Sequence, residues 1–141
     1  MALQKIVYFC HVWTLVEKGV PLIRHDFEAW EHGPVLPYLY HEFKGCRNEA
    51  ITIRASKLDM QTGERIFAGT VEDGVLQEFL RKIIDFYAPM GAFELRNISH
   101  IENGPWAQAW NHRGETNFGM KIGNDSIRDF YAKHPSLYSL H

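Results

Sequence analysis

The chain has 141 residues, enough for one domain with a sizeable core and marginal for two, so a single domain spanning 1–141 is expected. With 45% hydrophobic and 23% charged residues it falls in the ordinary globular range rather than the disordered one. Fifteen Lys plus Arg against seventeen Asp plus Glu leave a net charge of −2, so charge offers no reason to expect a nucleic-acid ligand. Residues 3–18 place Leu3, Ile6, Val7, Cys10, Trp13 and Val16 at helical spacing, with Gly19 as a stop and Pro21 just beyond. This helix is expected to line the core. Its apolar run is broken by His11, lacks a small-residue cleavage site and is too short to span a bilayer, which points to a cytoplasmic protein.

A corner follows. Asp26 suits the cap of a short helical piece through Phe27 and Trp30, while Phe27 and Ala29 also alternate as a strand would. Gly33 accepts a positive φ, Pro34 has no N–H with which to continue a helix, and Pro37 fits the first turn of a new one. From there Leu36, Leu39, Tyr40 and Phe43 share one helical face, and Gly45 stands where a left-handed cap would close it. Tyr38 falls off that face at the exposed start of the helix.

Beyond the corner helix, residues 51–54 and 65–68 are β-prone runs on either side of Gln61-Thr62-Gly63-Glu64, predicting a small hairpin. Residues 71–87 carry Val75, Leu76, Phe79, Ile83, Phe86 and Tyr87 on one face of an amphipathic helix ending near Pro89 and Gly91. Residues 92–101, with Phe93, Leu95, Ile98 and Ile101, predict another, closed by Asn103-Gly104. Pro105 begins a short helix that sets Trp106 and Trp110 on one side. Residues 111–123 read as a loop. Asn124 or Asp125 caps a last helix over 127–133, with Ile127, Phe130 and Tyr131 inward. The fold class is therefore mainly α (α+β), a compact helical domain with a small β-hairpin.

Catalytic chemistry has little support in these residues. His32, His41 and Cys46 cluster in sequence around the corner helix but match no zinc-ligand spacing, so surface or core-edge histidines are the simpler reading. Cys10 and Cys46 fit neither a disulfide framework nor a zinc knuckle and read as free thiols. Adjacent helical residues point about 100° apart, so Cys10 and His11 do not form a nucleophile and base. Glu28 and Glu31 would converge only if their segment were helical. Phosphate-cradling loops and nucleophile elbows are absent, and no pattern calls for a cofactor or a metal. His100 reads as a structural histidine that buttresses the Trp106 helix.

The run Glu28-Ala29-Trp30-Glu31-His32-Gly33-Pro34-Val35, with Pro37, Tyr40 and Phe43 after it, resembles the signature of the SocA-like antitoxin, or Panacea, domain family, which includes phage-associated proteins. The segment Lys5 to Trp13 with Gly19 and Pro21-Leu22 agrees with the family in order, as does Ile98-Ser99-His100 with Pro105, Trp106 and Trp110. The structural signature expected from this resemblance is Trp30, Gly33, Pro34, Pro37, His100, Trp106 and Trp110. What the resemblance implies is a non-enzymatic antitoxin that neutralises a co-encoded protein toxin by direct binding, some members delivering it to a cellular protease. No extra length or basic patch supplies the DNA-binding module that many antitoxins carry. The exposed aromatic beside charge makes Glu31, His32 and Tyr38 the partner-binding candidates. Competing classes are a small metal-dependent hydrolase using His32, His41 and Cys46, and a phage or host scaffold protein without a toxin partner.

Overall fold

Every residue from Tyr8 to Leu15 in the first helix is buried, so α1 (Ala2–Lys18) has no solvent face along its middle and the other elements wrap around it. The computed structural model describes residues 2–44, 56–58, 61–67, 72–110 and 118–137. Gly19 closes α1 at φ 71°, its N–H bonded to Leu15 O at 3.0 Å. Rings from α1 fill the centre of the molecule. Tyr8 meets Phe27 edge-on at 5.3 Å, Phe9 stacks on Tyr87 at 4.3 Å, and Trp13 meets Tyr131 edge-on at 5.6 Å.

The corner opens with strands. β1 (Phe27–Trp30) and β2 (Gly33–Val35) form an antiparallel hairpin in the register Glu28 with Val35, Ala29 with Pro34 and Trp30 with Gly33. Alternation decides between the two readings of this segment: Phe27 and Ala29 are each 1% exposed and turn to the core, while Glu28 and Trp30 turn away. The helical alternative with an Asp26 cap is therefore wrong. Pro34 lies in β2, an edge strand of the sheet β2-β1-β5, where a missing N–H costs no ladder bond toward a further strand. α2 (Pro37–Phe43) then starts with its proline in the first turn.

β3 (Ser56–Leu58) pairs antiparallel with β4 (Arg65–Phe67), so a hairpin exists across the Thr62-Gly63 turn. The predicted strand at 51–54 and the cap at Gly45 lie outside the described residues. α3 (Gly74–Tyr87) is capped by Asp73, whose carboxylate accepts from Val75 N at 3.0 Å and Leu76 N at 3.1 Å. Only part of its expected apolar face is inward: Ile83 and Tyr87 are buried, whereas Val75 is 75% exposed. α4 (Ala92–Ser99) stops two residues before Ile101 and buries Leu95, leaving Phe93 in solvent.

α5 (Pro105–Trp110) follows. Within the expected loop 111–123, residues 111–117 are outside the described set, and its end forms β5 (Lys121–Ile122), which pairs with β1 through Phe27–Ile122 and Glu28–Lys121. α6 (Asn124–Ala132) begins one turn earlier than predicted. Gly123 occupies the cap position, and Asn124 uses its side chain elsewhere: Oδ1 lies 2.9 Å from His11 Nε2. Ile23 N–H donates to His11 Nδ1 at 3.3 Å, so the ring proton resides on Nε2 and is given to Asn124.

The described residues form six α-helices, a small three-stranded sheet and a separate two-stranded hairpin. It is the β1–β2 hairpin, rather than α2, that lies between α1 on one side and α5 on the other.

Candidate functional site

The turn between β1 and β2 is the point on which the signature residues converge. Gly33 reverses the chain with φ 124°, and its missing side chain lets three groups close in. A Cβ there would meet Lys5 Cε and Ser99 Oγ at 3.1 Å and His100 Cε1 at 3.2 Å. Two side chains then hold the turn by its backbone. Trp106 Nε1 donates to Trp30 O at 2.8 Å, and His100 Nε2 lies 3.1 Å from Glu31 O. The hairpin exit is tied down as well: Leu36 N donates to Gln4 Oε1 at 2.9 Å, and Gln4 Nε2 donates back to Leu36 O at 3.3 Å.

His100 lies between the turn and α5. It sits at the end of α4, its ring 3.9 Å from that of Trp106, and its Nδ1 lies 2.6 Å from Arg96 O. Both ring nitrogens thus face carbonyl oxygens, and Nδ1 also lies 3.2 Å from Ser99 Oγ. Trp110 stacks on Trp106 at 5.5 Å with the rings 12° apart, and is 39% exposed. On the other flank Trp30 meets Tyr40 edge-on at 5.0 Å. Trp30, Gly33, Pro34, His100, Trp106 and Trp110 therefore form one assembly, with Pro37 just past the hairpin.

The candidate partner-binding residues are all on the outside. Glu31 and His32 form the exposed tip of the clamped turn. Tyr38 stands on α2, 60% exposed, its ring stacked with that of His25 at 6.2 Å. Glu31 and His32 share the turn; Tyr38 is carried by a separate element.

The catalytic alternatives fare differently in the geometry. Glu28 lies on a strand and accepts from Trp30 Nε1 at 3.3 Å, so it does not converge with Glu31 as helical neighbours would. Burial pushes the Cys10 thiol up to about 12, the opposite of nucleophile activation. No group of three or more His, Cys, Asp or Glu side chains that could hold a metal ion occurs among the described residues; Cys46 lies outside them. No described helix is long and apolar enough to cross a membrane.

Sequence reasoning missed four contributors to this region. Gln4, Lys5, Arg96 and Ser99 sit beneath or beside the turn; Gln4, Lys5 and Ser99 are 5%, 2% and 3% exposed. The available signal was faint: two polar residues, Gln4 and Lys5, side by side in a helix whose only other polar residues through Val16 are His11 and Thr14.

The family profile described as Antitoxin SocA-like, Panacea domain, matches residues 3–107, which takes in α1, the clamped hairpin, α4 and the start of α5. A curated relative, Antitoxin SocA from Caulobacter vibrioides (strain NA1000 / CB15N), is 35% identical over 130 residues, covering 92% of this chain and 69% of the relative. No solved structure matches. A match running through the opening helix, the Gly33 turn and the tryptophan that clamps it assigns the chain to the SocA-like antitoxin, Panacea-domain family.

Proposed function

We propose that this protein neutralises a protein toxin by binding it directly, using the surface around the tip of the β1–β2 turn, with Glu31 and His32, and Tyr38 on α2. Membership of an antitoxin family supports the role. The observation that carries the choice of surface is the fixation of the turn from below: its carbonyls are held by Trp106 and His100 while Glu31 and His32 face solvent. A tip already held in place loses little conformational entropy when a partner docks. Tyr38 adds a large, stiff, amphipathic ring, the kind of group that carries binding energy at protein interfaces.

The test has two stages. Neighbouring open reading frames are expressed with and without this protein, and growth arrest relieved by co-expression identifies the toxin. Tyr38→Glu and His32→Glu are then compared with wild type in the same rescue assay and in pull-down. Loss of at least about 2 kcal/mol of binding, roughly thirtyfold in affinity, is expected for an anchor at such a surface. Folded variants that bind and rescue like wild type would place the interface elsewhere.

A further inference from the structure

Lys5 projects from α1 into the space under Gly33 and is 2% exposed. Arg96 lies close enough on α4 to raise the cost of charging Lys5, and its Nε is buried without a hydrogen-bond partner among the described residues. His100, next along, directs both ring nitrogens at carbonyls and brings its Cε1 to the same point beneath Gly33. The ion pairs among the described residues involve Arg81, Lys121 and Arg128; none reaches Lys5 or Arg96. The buried Lys5 side chain and the buried Arg96 Nε thus have no carboxylate paired with them among the described residues. Buried charge of one sign is costly unless something of the opposite sign joins it.

We propose that Lys5 and Arg96, beside the His100 ring, form an anion-binding site beneath the β1–β2 turn, which takes a compact carboxylate. The Lys5 ammonium supplies point charge and the free Arg96 N–H a directed donor, a combination suited to a planar oxyanion. Ser99 Oγ is engaged with Arg96 O at 2.8 Å and serves to hold the end of α4 in place. Acetate is the probe for such a site, and gluconate, a bulky polyhydroxylated carboxylate, the comparison anion. The carboxylate has two sources, a free small anion or an acidic side chain on a partner chain, and this site stands whether or not the partner surface above is assigned correctly.

Thermal unfolding of the whole chain at pH 7 and constant ionic strength tests it, with sodium gluconate replaced stepwise by sodium acetate. In wild type the folded-to-unfolded ratio is expected to grow about tenfold for each tenfold rise in acetate above the dissociation constant. Lys5→Met and Arg96→Gln are expected to lose that response while melting cooperatively. A wild-type curve indifferent to acetate, or equal responses in all three proteins, would overturn the proposal. Given a wild-type acetate response, the peptide acetyl-Ala-Glu-Ala-amide distinguishes the sources: stabilisation by the peptide marks a partner's side chain, and stabilisation by acetate alone marks a free anion.

Discussion

Replacing Lys5 by Met is expected to make the protein more stable at neutral pH when no small carboxylate is present. Burial, and next the neighbouring Arg96 charge, lower the Lys5 ammonium from 10.5 to about 8. At 1.36 kcal/mol for each pH unit of displacement, the charged side chain costs the fold about 3 kcal/mol below pH 8. Methionine is unbranched and of similar length, so it fills the space without a charge to desolvate. For a chain of this size the gain amounts to roughly 10 °C in melting temperature. The sign follows from proton binding. Between pH 8 and 10.5 the unfolded chain holds the Lys5 proton more tightly than the folded one, so wild type gains stability as pH rises and the variant does not. The gap is therefore full at pH 7, narrows above pH 8 and closes near 10.5. Tyr8 and Tyr131, whose phenols burial pushes up, contribute equally to both proteins and cancel in the difference. Urea unfolding in gluconate buffer at a series of pH values measures it directly. A variant no more stable than wild type at pH 7, or a gap that stays constant to pH 10, would refute the picture of an uncompensated buried ammonium.

Other expectations rest on single contacts. Tyr87→Phe removes the hydroxyl that accepts from Trp13 Nε1 at 2.8 Å and donates to Leu137 O at 2.9 Å; a loss of about 1–3 kcal/mol in urea unfolding is expected, since the buried indole N–H loses its acceptor. Gly33→Ala combines φ 124° with Cβ approaches of 3.1 Å to Lys5 and Ser99, and about 2–4 kcal/mol of destabilisation is expected from backbone strain and crowding, read by thermal melting. Burial holds His11 below its ordinary 6.5, so the unfolded chain takes up a proton first and stability falls as pH drops through that value. His11→Gln should flatten this acid-side slope between pH 7 and 5; an unchanged slope would assign it to other groups.

The resemblance singled out Trp30, Gly33, Pro34, His100, Trp106 and Trp110, while the residues themselves marked only the corner at Gly33 and Pro34, through backbone freedom and a missing N–H. Their assembly was less legible. The alternation of Phe27 and Ala29 was present, but four residues are too short for periodicity to choose between strand and helix, and pairing across the sheet decided it. β5 was invisible for a related reason: two residues have no periodicity, and Lys121–Ile122 becomes a strand only because β1 offers an open edge. In α3 the three-and-four spacing located the helix but overstated its buried face, since Val75 lies in a first turn that extends past the core. Lys5 and Arg96 could not be paired by inspection, because nothing in the chain order marks residues on α1 and α4 as neighbours. The Asn124 side chain looked like a helix cap for the same reason, its real partner His11 being remote in sequence.

The grip on the β1–β2 turn has an evolutionary corollary. Trp106 and His100 grasp main-chain oxygens of Trp30 and Glu31, atoms that every amino acid supplies. The loop's path is therefore indifferent to which side chains decorate positions 31 and 32. Descendants of one ancestor can exchange those two residues wholesale and present new chemistry on an unaltered perch, so recognition can diversify without the scaffold being rebuilt.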